Sequence, residues 1–196
     1  PTRRSSDLDQ HRILVPGGHL LNPDRFRAHF GGYTFQIDDR NSKVTRNAWE
    51  AFTESQVLRP PRVEGTCFRP TLPYGQVLTE NGRRKVNVYW PPTVDARPGD
   101  CGPFWRHMAL LLPNERDRLI LFYYLCALVQ FPGIKFQWAP LLQGVEGNGK
   151  TFISRCAAFA VGTQYVHWPK ADKLGGQFNG WLFGKILYCV EDIGLG

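Results

Sequence analysis

Residues 144–151 read Gly144-Val145-Glu146-Gly147-Asn148-Gly149-Lys150-Thr151, and the fold prediction starts from them. Its spacing is GxxxxGK[ST], the pattern of a loop that binds the phosphate groups of a nucleotide. Glycines let such a loop curl so that successive backbone N–H groups point at the phosphates. The pattern predicts that Lys150 reaches the β- and γ-phosphates and that Thr151 places its hydroxyl on Mg²⁺.

The segments on either side of this loop favour the same interpretation. Residues 135–143 (KFQWAPLLQ) are apolar and are predicted to be extended, and residues 152–161 (FISRCAAFAV) are predicted to form a helix. A helix in this position turns its positive N-terminal end towards the bound anion. The alternative, a glycine-rich turn with a stray lysine, requires all of these neighbours to coincide by chance.

A second motif, which is acidic, follows about forty residues downstream. An acid at the carboxyl end of a parallel strand would lie beside the phosphate loop, because ligands bind there in open α/β sheets. Residues 185–190 (KILYCV) form a continuous apolar run, typical of a parallel strand buried on both faces, and Glu191 and Asp192 follow it. We assign Glu191 to Mg²⁺ and Asp192 to polarising the attacking water, although their order is open. The alternative is a pair of surface acids after a strand.

Three regions are expected along the chain. Residues 1–8 (PTRRSSDL) resemble one translated reading frame of a sequencing-adapter oligonucleotide and are left out of the fold prediction. Residues 9–102 are predicted to be a proline-interrupted, mixed α+β lead-in region. Residues 103–196 are predicted to be the N-terminal half of an α/β nucleotide-binding domain, so the chain is expected to be an internal fragment. The predicted helices are 23–30, 44–56, 104–112 and 115–130, and the predicted strands are 11–15, 33–37 and 85–90.

The amino-acid composition limits the class of protein but does not indicate a function. The 196 residues are 42% hydrophobic, which is enough to build a core and excludes a disordered chain. No apolar run reaches the length of a membrane span. Five scattered cysteines without a CxxC pair favour reduced thiols over a disulfide framework or a zinc site. The formal charge of +7 is compatible with a polyanionic partner but does not demonstrate one.

Two basic stretches are candidates for contact with nucleic acid. Lys170 and Lys173 face either nucleic acid or solvent, and the sequence does not favour one over the other. Arg83, Arg84 and Lys85 precede Tyr89 and Trp90, so they could bind phosphate beside stacking aromatic side chains. A charged hairpin turn next to a half-buried strand is the more ordinary interpretation of the second stretch.

These motifs together resemble a family, the superfamily 3 helicase module of phage and plasmid primase–helicases. The similarity rests on GVEGNGKT at 144–151, FNGWLFGK at 178–185 and ILYCVED at 186–192. The flanks VNVYWPP at 86–92 and VQFPGIKF at 129–136 are also similar to the region that leads into this module.

The resemblance implies a P-loop NTPase of AAA+-like architecture with a parallel sheet. It implies an ATP- and Mg²⁺-dependent motor, hexameric when intact, that moves along single-stranded DNA at a replication fork. A fused or separate primase and a location in the cytoplasm of a phage-infected or plasmid-bearing bacterium are also implied. The family's sensor motif and arginine finger would follow residue 196. The alternative is a P-loop ATPase or nucleotide-binding module that does not unwind DNA.

Overall fold

The computed structural model describes residues 11–40, 43–94, 96–170 and 180–191, without the side chain of Trp181. The chain divides into two compact units, Pro1–Trp90 and Pro91–Gly196. The two units divide where the Pro91-Pro92 pair begins, and the domain bounds 9–102 and 103–196 stay predictions. The predictions for residues 1–8 lie outside the described residues.

Short elements built around aromatic side chains begin the first unit. Strands β1 (Ile13–Val15) and β2 (His19–Leu21) pair antiparallel, and so do β3 (Phe35–Gln36) and β4 (Val44–Thr45). Helices α1 (Pro23–Phe30) and α2 (Ala48–Thr53) bring together an aromatic core consisting of Phe26, Phe30, Trp49 and Phe52.

The predicted helix over 44–56 is wrong at both ends. Its first residues, Val44 and Thr45, are β-branched and pair as strand β4 instead. The helix begins only at Ala48, because the Asn47 side chain accepts hydrogen bonds from the N–H groups of Trp49 and Glu50.

A three-stranded sheet completes the first unit. Its order is β5 (Gly65–Cys67), β7 (Arg83–Asn87), β6 (Val77–Glu80), with β5 parallel and β6 antiparallel to the central strand. Asn81 and Gly82 join β6 to β7 with φ of 53° and 74°, which is the left-handed geometry of a two-residue hairpin turn. The strand predicted over 85–90 therefore starts earlier than expected and ends at Asn87.

Helices dominate the second unit. They are α3 (Gly102–Leu111), α4 (Glu115–Gln130) and α5 (Lys150–Val161), followed by a parallel pair of two-residue strands, β8 (Val166–His167) and β9 (Leu187–Tyr188). The predicted bounds of α4 are confirmed, and the Asn114 side chain caps its N-terminus by accepting from the Arg116 N–H at 2.9 Å.

The core of this unit lies along α5. The N-terminal half of α5 packs through Ile153 against Leu121 of α4 and Met108 of α3. Its C-terminal half packs against Leu128 of α4 and against Leu187 of β9. Helix α4 is only partly buried, since Tyr123 on its outer face is 63% exposed.

In the described part of the second unit, the extended parallel sheet expected from the sequence is reduced to the pair β8–β9. The strand predicted over 135–143 does not form, since that segment pairs with no other strand of the described chain. None of the helices in the described part is long and apolar enough to cross a membrane. The described architecture is mixed α/β with small sheets.

Candidate phosphate-binding site

The glycine-rich loop leads directly into helix α5, as the motif predicts. Gly147 and Gly149 adopt φ of 77° and 89°, in the left-handed region that residues with a Cβ rarely enter. Gly149 is the N-cap, and the helix begins at Lys150. The backbone itself therefore requires glycine at two positions of the motif.

At position 144, glycine is needed because there is little space for a Cβ, rather than because of a left-handed φ. A Cβ placed there would lie 2.5 Å from Nδ2 of Asn148, so the two ends of the loop approach each other at this point. The loop is closed on itself rather than spread out.

Lys150 closes the loop from its C-terminal end. Its Nζ donates to the carbonyl oxygens of Gly144 at 2.9 Å and Val145 at 2.8 Å, and to Oδ1 of Asn148 at 3.0 Å. All three acceptors are neutral, and none of the ion pairs in the described chain includes Lys150. The ammonium group therefore lies inside the loop without a described carboxylate to neutralise it.

The N-terminus of α5 has no side-chain cap, and its first turn carries no acid. The same holds for α3, although Asp100 accepts from the Gly102 N–H at its start. The other three α-helices of the described chain are capped by an asparagine side chain: Asn22 for α1, Asn47 for α2 and Asn114 for α4. Uncapped N–H groups carry a partial positive charge that favours an anion. Together with Lys150, they fit the phosphate groups of a nucleotide.

Thr151 is exposed on the first turn of α5, so its hydroxyl is accessible to a metal ion bound with the nucleotide. In the described residues, no group of three or more His, Cys, Asp or Glu side chains is arranged to hold a metal. Within the glycine loop, Thr151 is the residue that the motif assigns to Mg²⁺.

One residue of the site was missed by the sequence reasoning. His107 of α3 places its Nε2 3.1 Å from the carbonyl oxygen of Gly149, and its ring lies edge-on to Phe152, with 4.8 Å between ring centroids. A Cβ on Gly149 would lie 2.3 Å from Cε1 of His107. No motif spacing links a histidine of one helix to a glycine 42 residues later, so only the tertiary structure reveals it.

The acidic pair is described only in part. Glu191 is exposed beyond the end of β9, and Asp192 lies outside the described residues. Burial first, and then the charge of Glu191, raise the pKa of the Cys189 thiol to about 11. Within the described chain, no hydrogen bond or ion pair joins Glu191 to the glycine-rich loop. The assignments of Glu191 and Asp192 to metal and water stay predictions.

The basic candidates are also only partly described. Lys170 is exposed after β8, and Lys173 lies outside the described residues. Arg83 and Arg84 are exposed beside the β6–β7 turn, where Lys85 forms an ion pair with Glu80 at 3.0 Å. A charged hairpin is therefore present, while its contact with nucleic acid stays a prediction.

No family model matches the chain, and no curated protein matches its sequence. Among solved structures, the chain is similar in fold to the apo form of the NrS-1 C-terminal region, residues 305–718. The TM-score is 0.52 at 17% sequence identity, over 64% of this chain and 30% of that one. This chain therefore spans less than a third of that region, and at this identity the likeness concerns the fold alone.

Proposed function

We propose that the chain is the ATP-binding part of a phage-type replicative DNA helicase of superfamily 3, with the P-loop NTPase fold of that family. The observation that carries the proposal is the position of Lys150, held by neutral acceptors inside a closed glycine loop at the uncapped N-terminus of α5. A polyphosphate is the ligand that such a concentration of N–H groups and positive charge favours.

In the proposed mechanism, Lys150 exchanges its contacts with the Gly144 and Val145 carbonyls for oxygens of the β- and γ-phosphates. The N–H groups of the loop and of the first turn of α5 bind the remaining phosphate oxygens. Thr151 and Glu191 would hold Mg²⁺, which neutralises charge on the phosphates during transfer. Asp192 would orient and polarise the attacking water, and the roles of the two acids are interchangeable in this proposal.

The step from ATP binding to helicase activity rests on two similarities. The sequence resembles the superfamily 3 module from the glycine loop through the acidic strand. The second similarity is the fold likeness to the C-terminal region of NrS-1. Single-stranded DNA, assembly as a homo-hexamer, an associated primase and a bacterial cytoplasm are proposed on the same basis.

A second candidate function is nucleotide binding without DNA unwinding. It is favoured by the exposure of Glu191 and by the lack of any bond between this residue and the loop in the described chain. A site that binds MgATP but cannot position its acids would hydrolyse ATP slowly.

The experiment that separates these functions compares ATP binding with ATP hydrolysis in the presence and absence of single-stranded DNA. It is made on this chain and on the intact gene product. The helicase proposal predicts that both bind MgATP and that DNA accelerates hydrolysis by the intact protein, which also unwinds a forked duplex. An ATP hydrolysis rate that does not change when single-stranded DNA is added, together with no unwinding of the forked duplex, would contradict the helicase proposal. Binding without hydrolysis in the intact protein would support the second function.

A further inference from the structure

We propose that His107 is a positioning residue for the glycine loop, which fixes the direction of a phosphate-binding N–H group. The inference rests on the proposed nucleotide binding and adds a residue that no motif contains. Its starting point is the distance of 3.1 Å between Nε2 of His107 and the carbonyl oxygen of Gly149. A carbonyl oxygen can only accept a hydrogen bond, so Nε2 carries the proton.

The imidazole ring is held in place by packing as well as by this bond. His107 is half-buried, and its neighbour Met108 is fully buried against Leu121 and Ile153. The ring lies edge-on to Phe152, whose own N–H donates to the Gly149 carbonyl at 3.1 Å. The Gly149 oxygen therefore has two donors, one from α5 itself and one from α3.

This bond acts on the phosphate site through the peptide that joins Gly149 to Lys150. In a trans peptide the C=O and the N–H point in opposite directions. Fixing the Gly149 carbonyl on His107 therefore turns the Lys150 N–H away from His107. This N–H is the first of helix α5, and the motif uses such groups to bind phosphate.

The close approach of the two residues shows why the arrangement needs glycine. The φ of 89° at Gly149 is strained for any other residue, and a Cβ would overlap the His107 ring. His107 and Gly149 therefore form one unit, in which the glycine allows the approach and the histidine fixes the orientation.

The test replaces His107 with two amides that differ in reach. A glutamine side chain can place an N–H close to the position of Nε2, whereas asparagine is one carbon shorter and cannot. The dissociation constant of MgATP is measured with a fluorescent ATP analogue, and the urea unfolding midpoint is measured without nucleotide. We expect H107N to weaken binding about three- to tenfold, and H107Q to stay within about twofold of the wild type.

The outcomes separate this inference from the function on which it rests. Equal affinities for H107N and the wild type, or equal losses for H107N and H107Q, would overturn the role of His107 while nucleotide binding stands. No binding by the wild-type chain would overturn both. A second measurement does not depend on the variants: ¹⁵N NMR of labelled histidine should show the His107 proton on Nε2. A neutral ring protonated on Nδ1 would contradict the proposal.

Discussion

The substitution Gly149→Ala is the sharpest test of the loop geometry. It adds one methyl group at a residue whose φ is 89°, and this methyl carbon would lie 2.3 Å from Cε1 of His107 and 2.7 Å from its Nε2. The substitution therefore has two costs in free energy. One is the backbone strain of the left-handed conformation, and the other is the displacement of the His107 ring from the Gly149 carbonyl.

Each cost has a known order of magnitude. A left-handed conformation costs a residue with a Cβ about 1–2 kcal/mol, and a lost hydrogen bond costs about 0.5–1.5 kcal/mol. The binding-competent loop is therefore destabilised by about 1.5–3.5 kcal/mol, which corresponds to a loss of roughly 10- to 300-fold in MgATP affinity.

The dissociation constant of MgATP is again measured with the fluorescent ATP analogue. It is compared in a double-mutant cycle of the wild type, G149A, His107→Ala and the double variant. If the alanine methyl already displaces the ring, His107→Ala has almost no further effect in the G149A background. The matched control is Gly147→Ala, since Gly147 has a φ of 77° but, apart from its chain neighbours, no described residue has an atom within 4 Å of the point that an alanine methyl carbon would occupy there. G147A carries strain alone, and its effect should add to that of His107→Ala.

Additive losses for Gly149→Ala and His107→Ala would refute this reasoning, because they would show that the two residues act independently. So would an affinity for G149A within about twofold of the wild type, since strain alone is expected to cost more.

Two further predictions concern groups outside the loop. Asn87 is fully buried and its amide donates to three backbone carbonyls within residues 69–73, so N87A should lower the free energy of urea unfolding by about 2 kcal/mol or more. A midpoint unchanged from the wild type would contradict that. The pKa of the Cys189 thiol is raised to about 11, so this thiol is neutral at pH 8 and iodoacetamide should react first at the exposed Cys101. Alkylation of Cys189, followed by mass spectrometry, should accelerate as the pH rises towards 11; a rate independent of pH would contradict the assignment.

Local signals in the sequence predict the helices best. The bounds of α1 and α4 follow from Asn22 and Asn114, because a capping side chain bonds to N–H groups only two or three residues away. The glycine positions of the loop are equally local, since the left-handed φ of Gly147 and Gly149 is a property of single residues.

Features that need a distant partner could not be predicted. The segment 135–143 has the apolar character of a strand, but a strand also needs a neighbour with which to pair. The role of His107 in the site could not be predicted for the same reason, because it depends on how α3 packs beside α5. The exposure of Tyr123 on the outer face of α4 could not be predicted either, because an apolar sequence does not show which of its residues other elements cover.

Isothermal titration of MgATP into the wild-type chain and into Lys150→Ala tests whether Lys150 lies in a phosphate-binding loop. We expect the wild type to bind one nucleotide per chain and K150A to lose this binding, while the urea unfolding midpoint without nucleotide stays close to that of the wild type. Lys185→Ala is the control, since Nζ of Lys185 bonds to the Gln164 carbonyl at 2.6 Å rather than to the loop. Equal affinities for K150A and the wild type would contradict the account.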